Sequence, residues 1–120
     1  MIPPRPSSKD SISCVGELVG GILIGCSRRP TRMVVGLAPK GFGLGDVEGA
    51  ELPSVKVCGA CNRHVDGLAA ALSEAAPVSH RTDAMVFTVT DLLEVWDEFF
   101  TDLFETLGGG DAWEMDLQFR

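Results

Sequence analysis

Nowhere does this 120-residue chain stay apolar for long. Its longest run without a polar side chain, Leu18–Cys26, covers nine residues, well short of the ~20 that a membrane-spanning helix needs. The opening MIPPRPSSKD has no apolar segment of the kind a secretion signal carries, so the expectation is an intracellular, cytoplasmic protein. Positive charge is scarce too. Ten Lys and Arg stand against 17 Asp and Glu, a net charge of −7. Affinity for nucleic acid comes largely from basic side chains that displace counterions, so direct nucleic-acid binding is not expected. Serine-nucleophile motifs, paired catalytic carboxylates and internal repeats are missing as well, which weighs against an enzyme. What remains is a globular composition. Hydrophobic residues make up 45% and charged ones 22%, enough apolar material for one core and too much for a disordered chain.

The chain divides into a tail and one domain. Residues 1–12, with Pro3, Pro4 and Pro6 followed by Ser7 and Ser8, have little to bury and read as a flexible tail; residues 13–120 read as a single α+β domain. SCVGELVGGILIGC over 13–26 suggests two short strands around Gly20-Gly21, a pair suited to a tight hairpin. RMVVGL (32–37) and SVKVC (54–58) are further strand candidates, separated by a Gly-rich loop over 38–53. Val65, Leu68, Ala69 and Leu72 recur at helical spacing, which predicts a helix over 61–75 that ends before Pro77. AMVFTVT (84–90) predicts a strand, and DLLEVWDEFFTDLFETL (91–107) a long helix capped by Thr90 or Asp91 and stopped by Gly108. AWEMDLQFR alternates apolar and polar residues, the pattern of a half-buried strand.

Two other motifs read as loops. GFGLGD (41–46) has the glycines of a phosphate-cradling loop, but the acidic DVEGAELP follows where a helix would have to start. His80 lies between Ser79 and Arg81 in a polar connection, with no neighbour in sequence that would make it a catalytic base.

Chemistry concentrates in the cysteines. Four occur in a chain with no export signal, where metal binding and redox work outrank structural disulfides. Cys58-Gly-Ala-Cys61 has the spacing with which two thiolates wrap one zinc ion, and His64 follows three residues later. A strand ending at Cys58 and a helix opening near Cys61 would place the thiols at the positive end of a helix dipole, which favours thiolate. The expected ligand set for Zn2+ is Cys26, Cys58, Cys61 and His64, with Cys14 as alternative fourth ligand. Hairpin register decides whether Cys14 can join, since a two-residue turn would put Cys14 and Cys26 on opposite faces.

The stretch GCSRRPTRMVV…VKVCGACNRHVDGLAAAL, residues 25–72, resembles small treble-clef or zinc-ribbon-like domains. In those a turn cysteine and a strand hairpin precede a CxxC that opens a helix. The resemblance implies a structural zinc and leaves the partner open, since such domains bind DNA, RNA or protein. CGAC between strand and helix also looks like a thioredoxin-type active site, which would make Cys58 the nucleophile and Cys61 the resolving thiol of a thiol–disulfide oxidoreductase. No Trp precedes the motif, however, and no suitable proline follows it.

The 91–107 helix offers the second functional surface. Leu92, Val95, Trp96, Phe99, Phe100, Leu103, Phe104 and Leu107 form a broad apolar stripe. Asp91, Glu94, Asp97, Glu98, Asp102 and Glu105 supply negative charge with no Lys or Arg to offset it. One reading packs the stripe on a sheet made by 84–90 and 112–120. The other docks Trp96, Phe99 and Phe100 in a partner's groove, framed by Glu94, Glu98 and Asp102. The expectation drawn from all of this is a small, zinc-stabilised α+β domain with short β-hairpins and two helices. It would act as an acidic accessory or regulatory protein that binds a protein partner with a basic or grooved surface, with no direct role for nucleic acid or membrane. An acidic mimic of nucleic acid is a further alternative.

Overall fold

RMVVGLA is apolar at consecutive positions, and a strand apolar on both sides must be covered on both faces. The computed structural model of the chain supplies that cover. It describes residues 5–6, 12, 14, 16–19, 22–38, 54–75, 83–108 and 114–118. In chain order the elements are strands β1 (Glu17–Val19), β2 (Ile22–Ile24), β3 (Arg32–Ala38) and β4 (Ser54–Ala60), helix α1 (Val65–Ala75), strand β5 (Met85–Thr88), helix α2 (Val89–Thr106) and strand β6 (Glu114–Gln118). β1 and β2 form a short hairpin, and the other four strands form one sheet in the order β5-β3-β4-β6. β3 runs antiparallel to both β4 and β5, whereas β6 lies parallel to β4.

Side-chain alternation sends the two faces of this sheet to different helices. Met33, Val35 and Leu37 of β3, with Val55 and Val57 of β4, join a core with Val89, Leu92, Trp96, Phe100, Phe104 and Leu107 from α2 and its end. Val34 of β3, with Cys58 and Ala60 of β4, packs instead on Val65, Leu68 and Leu72 of α1. The fold is therefore α+β, with one helix on each face of a mixed sheet. α1 approaches its face closely at Gly36, where an added Cβ would lie 2.9 Å from the Leu72 Cβ. Ser73 ties the end of α1 to the chain leading into β5. Its hydroxyl donates to the Ala69 carbonyl at 2.8 Å and accepts from the Ala84 N–H at 2.8 Å.

The α2 stripe resolves in favour of packing. Trp96 and Phe100 are 1% and 0% exposed, so the docking role given to those two rings is corrected: both are committed to the sheet. Phe99 is half-buried, edge-on to Phe87 at 5.0 Å and to Phe100 at 5.0 Å. Glu94, Glu98 and Asp102 are exposed on the opposite side of the helix.

Several local expectations change. β5 runs straight into α2, so the N-cap is Thr88, in place of Thr90 or Asp91; its Oγ1 accepts from the Asp91 N–H at 3.1 Å. Gly108 ends the helix as expected, at φ +84°, a left-handed value that glycine tolerates best. β5 and β6 do not pair with each other. They lie at opposite edges of the sheet, with β3 and β4 between them. Ile12, assigned to the tail, is 5% exposed in the α2-side core, and Arg5 donates to the Leu93 carbonyl at 3.3 Å. The Gly-rich loop from residue 39 onward, Pro77 and His80 lie outside the described residues.

Candidate metal centre

Three separate segments converge where β4 ends. The expected helix start at Cys61 is shifted: β4 continues through Ala60, Cys61–His64 form a turn, and α1 begins at Val65. In that turn the Cys61 carbonyl accepts from the His64 and Val65 N–H groups at 3.1 and 3.0 Å. This folding back brings the Cys61 Sγ to 3.3 Å from the His64 Nδ1.

Cys14 arrives from the hairpin side. The hairpin pairs Val19 with Ile22, the two-residue turn that was expected to exclude Cys14. Its ladder ends at Glu17 and Ile24, however, so its register does not govern residues further out. Gly16 redirects the chain at φ +87°, with its Cα so near Ile24 that an added Cβ would overlap the Ile24 carbonyl oxygen. Cys14 then makes a parallel bridge with Gly59, on the side of β4 away from β3. Its Sγ accepts from the Cys61 N–H at 3.3 Å and lies 3.9 Å from the His64 Nδ1.

Cys26 comes from the connection between β2 and β3, and its Sγ accepts from the Arg28 N–H at 3.4 Å. The same connection is fastened to the Cys61–His64 turn at its far end. The Thr31 N–H donates to the Ala60 carbonyl at 2.9 Å, and the Thr31 hydroxyl donates to Asn62 Oδ1 at 2.7 Å.

The ligating atoms of Cys14, Cys26, Cys61 and His64 all lie within 4.8 Å of one another. Metal bonds of ~2.3 Å to sulfur and ~2.0 Å to nitrogen, arranged tetrahedrally, space ligand atoms about 3.6–3.8 Å apart, so closing the widest pair takes about 1 Å. Three sulfurs and one imidazole nitrogen are a soft donor set that can hold such an ion. Three of the four expected ligands are in the group, and Cys14 takes the place given to Cys58.

Cys58 lies elsewhere for a simple reason. Gly59 and Ala60 remain paired with Met33 and Arg32, so the chain is still extended between the two thiols. At ~3.3 Å per residue, Cys58 and Cys61 are roughly 10 Å apart along the strand. Cys58 faces α1 and is 1% exposed, which also denies it the solvent access that a redox nucleophile requires. None of the four cysteines is in a disulfide. The signal that separates Cys58 from the group is its place inside a strand rather than at its end, and SVKVC alone does not show where that strand stops.

The electrostatics of the three clustered sulfurs are uneven. Burial raises the Cys14 thiol from 9.0 to about 11, with the Cys26 and Cys61 thiols acting in the same direction against backbone N–H donors at Cys61 and Gly16. Burial pushes Cys61 up as well, but N–H groups of Arg63 and His64, helped by the Cys14 and Cys26 thiols, outweigh it and bring Cys61 down from 9.0 to about 7. Cys61 thus gives up its proton more readily than Cys14. Each of the three sulfurs accepts a backbone N–H bond, the kind of outer contact that orients a ligand.

No protein-family model matches the chain, and no curated protein or solved structure does either.

Proposed function

We propose that the chain is a small zinc-binding accessory or regulatory domain, in which Cys14, Cys26, Cys61 and His64 hold one structural Zn2+. A single observation carries this reading: four ligand atoms from three segments lie within 4.8 Å of one another. A site with four protein ligands has no open position for substrate, which favours a structural over a catalytic metal. The order of parts supports the same view. A turn cysteine, the β3-β4 hairpin and a ligand pair at the start of α1 follow the treble-clef-like layout that the sequence suggests. Zinc would then clamp the N-terminal hairpin and the β2-β3 connection to the β4-α1 junction.

Metal analysis of protein purified without chelator tests this reading. The expected result is one zinc per chain, lost in Cys14→Ser, Cys26→Ser and Cys61→Ser but kept in Cys58→Ser. Protein that carries no metal, or that loses it on Cys58→Ser while remaining folded, overturns the assignment.

For the partner, we propose a protein with a basic surface that meets the exposed carboxylates Glu94, Glu98 and Asp102 of α2. Trp96 and Phe100 are buried and do not take part, so the attraction is mainly electrostatic and weakens with salt. Asp91, Asp97 and Glu105 are exposed on the same helix, which keeps the nucleic-acid mimic as a second reading for this face.

A further inference from the structure

Two of the three clustered sulfurs differ from the third in what they face. Cys14 and Cys26 flank the β1-β2 hairpin, whose ladder closes with Glu17 opposite Ile24. Cys14 lies three positions before Glu17 and Cys26 two after Ile24, so both thiols leave the hairpin at the same end. A surface cavity of about 460 Å³ is lined by both, together with the apolar side chains of Ile12 and Pro30. Cys61 and His64 are not among its described lining residues. The volume is within the range of small-molecule sites, so a small neutral reagent can enter.

Access is uneven within the pair. Cys26 is half-buried, in a connection over 25–31 that is neither helix nor strand. Cys14 is 4% exposed and is tied to β4 by its bridge with Gly59. An accessible thiol beside a sheltered one is the arrangement of a redox-sensing cysteine and its resolving partner. The two sulfurs lie no more than 4.8 Å apart, and a disulfide spans ~2.05 Å, so joining them takes at most about 3 Å of movement. Cys26, outside any ladder, is the partner that moves.

We propose that Cys14 and Cys26 form a peroxide-responsive pair, in which Cys26 reacts first through the cavity and Cys14 closes a reversible disulfide. The Cys26 thiolate attacks one oxygen of a hydroperoxide, the O–O bond breaks, and a proton converts the departing oxygen to water or an alcohol. Cys26 is then a sulfenic acid. The Cys14 thiolate attacks that sulfur, the S–O bond breaks, and a second proton carries the hydroxide off as water. The two sulfurs have lost one electron pair, and the peroxide has gained it. In the zinc reading, on which this consequence rests, the metal keeps only Cys61 and His64 and departs. The hairpin stays stapled to itself but loses its clamp to the β4-α1 junction. Cys58, 1% exposed against α1, takes no part.

The test treats the full chain, prepared without chelator, with one equivalent of hydrogen peroxide. Released zinc is read with a chromogenic chelator against a sample without peroxide, and remaining thiols are then alkylated for peptide mapping. Trypsin leaves both cysteines in one peptide, residues 10–28, and cleavage after Glu17 separates them unless they are bonded. The expected result is a peptide lighter by two hydrogens that stays joined after that cleavage, with one zinc released per bond. Dithiothreitol should restore both thiols. Cys26→Ser should abolish the bond and slow peroxide consumption at least tenfold, whereas Cys58→Ser should change neither. The map of the unaltered chain decides the pairing even where a variant fails to fold. A Cys26–Cys61 bond, a bond to Cys58, or oxidation to sulfinic acid without any bond overturns the proposal. Protein that holds no metal at the outset removes the zinc assignment, while a Cys14–Cys26 bond mapped in that same sample upholds the pair.

Discussion

The two faces of the central sheet are built differently. On the α2 side the core contains Trp96, Phe100, Phe104 and Met33, with Trp96 and Phe100 in edge contact at 4.8 Å. On the α1 side it contains Val34, Cys58, Ala60, Val65, Leu68 and Leu72, with no aromatic ring among them, and Gly36 adds no side chain to it. Large rings remove more surface from water and make more contacts than valine or alanine can, so the first face holds itself together more strongly. The helix on the second face, α1, starts directly after His64 of the cysteine–histidine cluster. The contrast suggests a division of labour: burial secures α2, and the proposed metal compensates for a thinner core under α1.

The largest effect should come from cutting into the stronger face. Phe100→Ala is expected to cost about 3–5 kcal/mol, since it empties a fully buried aromatic position. Chemical denaturation should show that loss with and without metal. An equal loss from Leu72→Ala would remove the proposed difference between the faces.

Metal removal should act next, and on the other face. At free metal a hundredfold above its dissociation constant, binding contributes about 2.7 kcal/mol of stability. Chelation should therefore lower the midpoint and first weaken amide protection in α1 and the β1-β2 hairpin, while α2 stays protected. Affinity should also depend on pH in a defined direction. The Cys14 thiol, raised to about 11, is protonated near neutrality in the metal-free fold, so metal must displace that proton. Binding weakens by at least about tenfold per pH unit as the pH falls. Below about 7 the Cys61 thiolate is protonated too, and the dependence steepens. A pH-independent affinity between 6 and 8 would argue against thiolate ligation.

Smaller changes sharpen the comparison locally. Gly36→Ala would set a methyl group 2.9 Å from the Leu72 Cβ, and the overpacking should cost about 1–3 kcal/mol, confined to the α1 side. Thr88→Ala removes the hydroxyl that caps α2 and should cost about 1 kcal/mol, visible as a lower thermal midpoint. If Thr88→Ala matched Phe100→Ala, α2 would depend on its cap more than on its stripe.

Much of this architecture can be read from residue patterns. The helical recurrence of Leu92, Trp96, Phe100 and Phe104 marks α2 because 3.6-residue spacing is a local property, and the apolar runs of β3 and β4 are equally local. Strand order is not local. The parallel pairing of β4 with β6 joins residues 54–58 to 114–118, and nothing in either segment names the other. The cap moved to Thr88 because β5 enters α2 without a loop, a junction that propensity does not reveal. At the site, Cys61 and His64 stand out as a turn pair, and Cys26 as a turn cysteine. Cys14 and Cys58 exchange places because strand length and the kink at Gly16 decide which thiols meet, and both are set by tertiary pairing.

The distance in sequence between Cys14 and Cys61, 47 residues, has a consequence for synthesis. A ribosome releases Cys14 and Cys26 well before the turn that completes the cluster has been made. Until β4 exists, the early thiols have no Gly59 to pair with and no imidazole to share an ion with. The proposed coordination sphere is therefore finished late, and a nascent chain that stalls before Cys61 presents two unprotected sulfurs.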